Sequence, residues 1–256
     1  MLDLTKKKPA DSAFTMLFNI EEHAVDLYEY LTDIKLDVSQ IRSVRLQDGM
    51  VKSSIYNDVS FITEDNQLFV LIEHQSTVNP NMGFRILEYF VKLVSEFLKE
   101  HKVDLFGRKV VQIPKASFFV VYNGKGTMQD LPILDLGDVQ VSARVKNIHF
   151  ETLVNKCTTN SVAGYARFVE LAKIMDPIEA TETLLKEGYL TDFLKDKERR
   201  NMFADTYSYE NELIYMGQQE KAIQVAINSL EKGLDIQTIA DITELDLNTI
   251  LKLKRD

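Results

Sequence analysis

Apolar residues near the start of the chain recur at the spacing of helices. Over residues 21–34 one helical face collects the apolar positions Ala24, Leu27, Leu31 and Ile34. A shorter apolar segment over residues 13–19 follows Asp11 and Ser12, either of which can cap a helix. The pattern therefore predicts two helices ahead of the first strand.

Short apolar runs typical of strands begin at residue 41. Residues 41–56 mix β-branched and polar residues around the turn sequence QDGM, which predicts a pair of strands. The runs VSFIT and LFVLI then flank a polar turn centred on Asp65 and Asn66, residue types that tolerate a positive φ. These two runs predict an antiparallel hairpin.

A long amphipathic helix is predicted after the hairpin, over residues 79–101. The apolar residues that we place on its buried face are Phe84, Leu87, Val91, Val94 and Leu98. The run KASFFVVY then predicts a buried strand, and residues 138–150 predict another. Because a helix lies between strand runs, we expect a mixed sheet with a crossover helix on one face.

The pattern changes to helices near residue 155. Residues 163–175 and 218–233 are two of the predicted helices. We therefore expect two domains: an α/β domain over residues 1–154 and an all-helical region over residues 155–256.

The end of the chain predicts a short helical pair with Asp235 and Asp246 as N-caps. Its sequence IADITELDLNTI resembles a minimal helix-turn-helix, although Glu244 stands where a turn glycine is typical. A small packed helical pair, or a module that contacts another protein, explains the same pattern.

Composition bounds the class of protein. The chain has 256 residues, of which 45% are hydrophobic, and it contains no run of about 18 apolar residues, so no membrane span is expected. Its N-terminus has no apolar segment of the kind found in secretory signals. The single cysteine, Cys157, excludes an internal disulfide framework and a cysteine-rich zinc site. We expect a cytoplasmic protein.

The net charge of -9 is unfavourable for general nucleic-acid binding, which prefers a basic face. A local basic groove can still exist in an acidic protein. Charge alone therefore leaves a nucleic-acid partner open.

The turn determines which residues of the hairpin face each other. With a two-residue loop at its centre, Asp58 faces Glu73, and their Cβ atoms are about 4.5–5.5 Å apart. Side chains alternate along a strand, so Gln75 shares the side of Glu73 while His74 points to the other side. A three-residue loop would shift the pairing by one and separate the carboxylates.

Two carboxylates that face each other across a sheet destabilise the fold unless a cation lies between them. Mg²⁺ is bound by one or two carboxylates together with waters and phosphates, and it activates a bound water for attack on phosphorus. Gln75 could then hold that water or a phosphate oxygen. The alternative is structural: Asp58 caps the strand entry, and Glu73 is an exposed residue at the strand end.

The hairpin and the elements after it resemble a known family. Three features occur together in the members of this family. They are an acid followed by IEHQS, a helix with the pattern M-x-x-R-x-x-x-Y, and a strand ending in Y-x-G. Here these residues are Asp58, Glu73 to Ser76, Met82, Arg85, Tyr89, Tyr122 and Gly124. The pattern resembles the PD-(D/E)XK nuclease superfamily and, more narrowly, the recombination-promoting nuclease/putative transposase group (Rpn, or YhgA-like).

The resemblance implies a restriction-endonuclease-like α/β (α+β) fold with an α-β-β-β-α-β core. It also implies a DNA endonuclease of the mobile-element, recombination-promoting type that depends on Mg²⁺, for which Mn²⁺ can substitute. Asp58 and Glu73 would be metal ligands, with the backbone carbonyl of His74 as a third, and Gln75 stands where a catalytic lysine is more usual. Arg85 would contact a phosphate; the alternatives are a surface arginine or a salt bridge to Glu88.

The first helices carry two further points of comparison. Such sites are often completed by an acid from the first helix, here Glu21 or Glu22, between which nothing in the sequence decides. Thr15 stands where the family usually has a lysine, so any role of that lysine is lost here. Double-strand cleavage would favour a homodimer.

The second hypothesis is a catalytically silent nuclease fold that binds DNA or another protein. Gln75, Thr15 and the acidic net charge favour it. The intact pair of Asp58 and Glu73 favours the nuclease.

Overall fold

The fold consists of two compact units, Met1–Ala204 and Asp205–Asp256. The computed structural model describes residues 12–43, 58–65, 67–108, 110–124, 126–130, 134–135, 140–153 and 160–254. The expected domain boundary between residues 154 and 155 adjoins residues 154–159, which lie outside the described part of the chain, so it stays a prediction.

The described elements follow the expected order of the α-β-β-β-α-β core. The strands are β1 (Ile41–Ser43), β2 (Val59–Thr63), β3 (Leu68–Gln75), β4 (Lys115–Tyr122), β5 (Leu134–Asp135), β6 (Gln140–Val141) and β7 (Arg144–Asn147). The helices are α1 (Ala13–Phe18), α2 (Glu21–Thr32), α3 (Met82–Glu100), α4 (Phe150–Leu153), α5 (Asn160–Leu171), α6 (Pro177–Glu187), α7 (Thr191–Leu194), α8 (Lys197–Glu231), α9 (Ile236–Thr243) and α10 (Leu247–Leu253).

The main sheet is mixed, as predicted. Among the described residues its strand order is β1-β2-β3-β4-β7. The first two pairings are antiparallel, and the pairings of β3 with β4 and of β4 with β7 are parallel. Parallel neighbours need a long crossover, and α3 is the crossover helix that joins β3 to β4. An α/β core followed by helices is thus confirmed.

The register of the hairpin is the predicted one. Ile62 pairs with Phe69, and Val59 pairs with Ile72. One step beyond the last pair, the same register sets Asp58 opposite Glu73.

Local hydrogen bonds of the turn explain this register. The Thr63 hydroxyl donates to the Asp65 carboxylate at 2.6 Å and accepts from the backbone N–H of Leu68 at 3.1 Å. Asp65 also accepts from the backbone N–H of Gln67 at 3.1 Å. A short polar side chain that bonds to the backbone two residues on is a common way to fix a tight turn.

The prediction for the buried face of helix α3 is correct in part. Its buried residues are Met82, Ile86, Tyr89, Leu93 and Phe97. Of the residues predicted to be buried, Phe84 and Val91 are 57% and 53% exposed. The other three, Leu87, Val94 and Leu98, are partly buried and pack against the core. Both stripes have helical spacing, so the sequence pattern alone does not decide which one faces the sheet. The observed choice turns Arg85, next to Ile86, toward the end of β3.

The two N-terminal helices form as predicted, with one exception. Ser12 caps α1 by accepting from the backbone N–H of Thr15 at 3.0 Å. Ile34, predicted to continue the buried face of α2, is 53% exposed. The helix ends before it, because Asp33 adopts a left-handed φ of 60°.

The other predicted strands are only partly described. Of the pair predicted over residues 41–56, β1 is described, and the QDGM turn lies outside the described residues. The strand predicted over residues 138–150 corresponds to two short strands, β6 and β7. Within the described residues, no helix is both long and apolar enough to cross a membrane.

The second unit contains the predicted short helical pair. Asp235 and Asp246 cap α9 and α10 by accepting from the backbone N–H groups of Thr238 and Thr249, each at 3.0 Å. A small apolar cluster joins these helices to the end of α8, and its buried members are Ala226, Ile239, Leu245 and Ile250. The helix predicted over residues 218–233 is the last part of the 35-residue α8.

Replacing Gly124 by alanine is expected to lower the melting temperature. An added Cβ would overlap the Ser76 carbonyl oxygen and the Tyr122 hydroxyl, and moving backbone at a packed site costs roughly 1–3 kcal/mol. Gly217→Ala is the matched control, because an added Cβ meets nothing within 4 Å in α8 and should gain about 0.8–1.0 kcal/mol of helix propensity. Circular dichroism measures both; an unchanged melting temperature for Gly124→Ala would contradict the close packing.

Candidate active site

Two carboxylates meet where β2 begins and β3 ends. Glu73 is buried, with 1% of its surface exposed, and Asp58 is half-buried. The backbone N–H of His74 donates to Asp58 Oδ2 at 2.7 Å, and the backbone N–H of Asp58 donates to Glu73 Oε1 at 3.4 Å. Each carboxylate therefore bonds to the backbone of the opposite strand, which keeps the two acids side by side.

The close approach changes the titration of both acids. Burial raises the pKa of Asp58 to about 6, although the His74 N–H lowers it in part. Burial, and then the nearby charge of Asp58, raise the pKa of Glu73 well above its usual value. Holding both groups ionised in this place is therefore unfavourable unless positive charge is added.

Arg85 brings one positive charge to the pair. Its Nη2 donates to Glu73 Oε2 at 3.1 Å and to the Tyr89 hydroxyl at 2.9 Å, and its Nε donates to the same hydroxyl at 3.2 Å. Arg85 and Tyr89 are four residues apart on α3 and so lie on one face of it. The side chain of Arg85 is 39% exposed, but it pairs with Glu73 and not with Glu88. The alternative salt bridge to Glu88 is wrong, because Glu88 pairs with Lys92 at 3.1 Å.

Thr15, which stands where the family usually has a lysine, contacts Asp58. It is 5% exposed, and its side chain hydrogen-bonds to Asp58, which lowers the pKa of that acid. The Ser12 and Thr15 hydroxyls are 2.8 Å apart. The only sequence signal for this contact was the position of Thr15 in the family pattern, because the fold brings α1 and β2 together from distant parts of the chain.

His74 points away from the acids, as the strand alternation predicts. Its ring stacks on Phe14 with 4.6 Å between centroids, and its Nε2 lies 3.3 Å from the Tyr165 hydroxyl. Burial lowers the pKa of its side chain to about 4, so the ring is neutral at ordinary pH. A role for its backbone carbonyl as a metal ligand stays a prediction.

Gln75 is buried beside Glu73, and its Oε1 accepts from the backbone N–H of Asn79 at 3.4 Å.

Neither proposed third acid is found beside the pair in the described structure. Glu21 accepts from the backbone N–H of Ser43 at 3.5 Å, and Glu22 is exposed. Over the described residues, no three His, Cys, Asp or Glu side chains come together as a metal site would need.

The donor set still fits a hard divalent cation. Mg²⁺ takes oxygen ligands and is often held by only one or two carboxylates, with waters and phosphate oxygens in the other positions. Asp58 and Glu73 supply two carboxylates, and burial raises the pKa of each although the charge of Arg85 lowers both. These two residues are the ones that could hold the ion.

A serine, a histidine and an aspartate also meet away from this site. Ser161 on α5 donates to Asp26 at 2.6 Å, and its oxygen lies 2.7 Å from Nδ1 of His23. Because the hydroxyl proton is directed to the carboxylate, His23 is not placed to remove it, as a nucleophilic serine would require. The group ties α2 to α5.

Asp58→Asn is expected to stabilise the metal-free protein at neutral pH. The folded pKa of Asp58, about 6, lies above its ordinary value of 3.8, so ionising this acid costs folding energy as the pH rises through that interval. Removing the charge should raise the free energy of unfolding by about 1–3 kcal/mol at neutral pH. The gain should disappear below about pH 4.

Denaturant unfolding in the presence of a chelator measures this difference. Glu96→Gln, at an exposed position of α3, is the control and should change little. A loss of stability at neutral pH in Asp58→Asn would show that the aspartate hydrogen bonds outweigh the repulsion.

Comparisons with known proteins agree with the residue pattern around this site. The family described as "Putative transposase, YhgA-like" matches residues 9–152, which is more than half of the chain. A relative from Escherichia coli (strain K12), named "Inactive recombination-promoting nuclease-like protein RpnE", is 21% identical over 294 residues, covering 96% of this chain and 97% of that protein. No solved structure matches the chain. The chain therefore belongs to the YhgA-like putative transposase family.

Proposed function

We propose that this protein is a DNA endonuclease that hydrolyses phosphodiester bonds with Mg²⁺ held by Asp58 and Glu73. The observation that carries the proposal is the pair of carboxylates brought together by the β2–β3 register, with raised pKa values that positive charge would relieve. Membership of a transposase-like family and the words "recombination-promoting nuclease-like" in the name of the relative favour DNA as the substrate.

The residues around the pair have separate roles in this proposal. The bound ion would lower the pKa of a water and polarise a phosphoryl oxygen. The His74 N–H and Thr15 orient Asp58, and Gln75 holds the attacking water or a phosphate oxygen. Arg85 contacts the DNA phosphate. Because Gln75 is neutral, it adds no charge to stabilise the transition state, so we expect slow cleavage.

The proposal includes further parts that the sequence suggested. The His74 carbonyl would be a further ligand of the ion, and Mn²⁺ would substitute for Mg²⁺. Cleavage of both DNA strands would require two active sites, which a homodimer provides. The single cysteine fits a reducing cytoplasm.

Loss of either carboxylate is expected to reduce cleavage of supercoiled plasmid by at least about 100-fold, as for loss of one strong transition-state contact. The purified protein is assayed with Mg²⁺ or Mn²⁺ beside Asp58→Asn and Glu73→Gln. Glu96→Gln removes an exposed carboxylate from α3 and should cut normally. Equal cleavage by the wild type and Asp58→Asn would mean that any nuclease activity in the preparation has another source.

A second candidate function is a catalytically silent module that binds DNA or another protein. The ion pair between Arg85 and Glu73 favours it, since a guanidinium already lies on the more buried acid. The word "inactive" in the name of the Escherichia coli relative points the same way.

Calorimetric titration with Mn²⁺ separates the two candidates. The nuclease should give a saturable heat signal on binding one ion, and Glu73→Gln should lose that signal because it lacks one of two charged ligands. If the wild type and Glu73→Gln give the same featureless titration while the protein still binds a DNA duplex, the silent module is the correct function.

A further inference from the structure

Arg85 lies at the boundary between the buried acids and solvent. Its side chain is 39% exposed, whereas that of Glu73, its ion-pair partner, is 1% exposed. The guanidinium therefore covers the buried carboxylate and can still be reached from outside.

Tyr89 holds the guanidinium independently of Glu73. Its hydroxyl accepts from both Nε and Nη2 of Arg85, and the guanidinium carbon lies 5.7 Å from the centre of the tyrosine ring. Tyr89 is itself buried against the sheet, at 1% exposure. Arg85 thus has one neutral anchor on its own helix and one charged partner on β3.

A guanidinium and a divalent cation are alternative counter-ions for the same carboxylate. Both carry positive charge, and Arg85 already donates to Oε2 of Glu73, whose Oε1 accepts from the backbone N–H of Asp58. Two such cations a few ångströms apart repel each other strongly in a partly buried place. A metal ion that binds Glu73 must therefore displace or weaken the contact with Arg85.

Arg85 can remain at the site after it loses its contact with Glu73. The two hydrogen bonds to Tyr89 do not depend on the charge of Glu73, so they keep the guanidinium near the acids. The Nη2 N–H that leaves Glu73 is then free to donate to a phosphate, which arginine binds well.

We propose that Arg85 is an internal counter-ion that occupies Glu73 in the metal-free protein and competes with the divalent cation, and that Tyr89 is the positioning residue that retains it for a DNA phosphate. The role of Tyr89 in retaining Arg85 for a DNA phosphate rests on the proposed function. The competition itself requires only the two acids and a metal ion.

Arg85→Met is expected to bind Mn²⁺ about tenfold more tightly than the wild type in the absence of DNA, which corresponds to about 1.4 kcal/mol. The same variant should bind a short DNA duplex more weakly when Ca²⁺ replaces the catalytic ion. Lys92→Met is the matched control, because it removes a cation from the same helix that pairs with Glu88. It should change neither affinity.

Tyr89→Phe provides a second test that keeps the arginine. Without the hydroxyl, Arg85 is held less firmly, so Mn²⁺ binding should tighten slightly and duplex binding in Ca²⁺ should weaken. A purely structural defect would weaken both. Melting temperatures with and without Mn²⁺ verify that each variant folds, and the increase produced by Mn²⁺ should be largest in Arg85→Met.

Unchanged or weaker Mn²⁺ binding by folded Arg85→Met would overturn the proposal, even if the wild type cuts DNA. If the wild type neither binds Mn²⁺ nor cuts DNA but Arg85→Met gains binding, the nuclease function fails and the competition stands. If no variant binds Mn²⁺, both proposals fail.

Discussion

The contact between Asp58 and Glu73 is the constraint on which the rest of the site depends. Backbone pairing of β2 with β3 brings the two acids together, and burial then makes their shared negative charge costly. The nearby groups reduce that cost in different ways. The His74 N–H and Thr15 bond to Asp58, and Arg85 neutralises part of the charge on Glu73. The fold thus tolerates a charge arrangement that stability alone would not select.

Two helices approach this edge of the sheet from opposite faces. α3 lies on one face and supplies Arg85, while α1 lies on the other and supplies Thr15 together with Phe14, which stacks on the His74 ring. Because side chains alternate along β3, neighbouring residues of one strand contact both helices. The site is therefore built from the β2–β3 hairpin, from α3, which follows it closely in sequence, and from α1, which is distant.

The sequence predicted features that depend on local chemistry. The hairpin register followed from the turn, and the N-caps Asp235 and Asp246 followed from residue type. Features that depend on packing were not predictable. The apolar pattern of α3 allowed two overlapping faces, so Phe84 and Val91 were wrongly predicted to be buried. The ion pair of Arg85 with Glu73 was not predicted either. Thr15 was missed because only the folded chain brings it to Asp58.

The two-sided environment of His74 has a consequence for how this site can change over time. Its backbone N–H fixes Asp58, while its ring is held by Phe14 and Tyr165 in the core on the other face. A substitution in that core can shift the strand end and move an acid by a fraction of an ångström. Such a chain would keep every residue of its motif and lose its chemistry. In this architecture, the presence of both acids indicates common ancestry more dependably than it indicates catalytic activity.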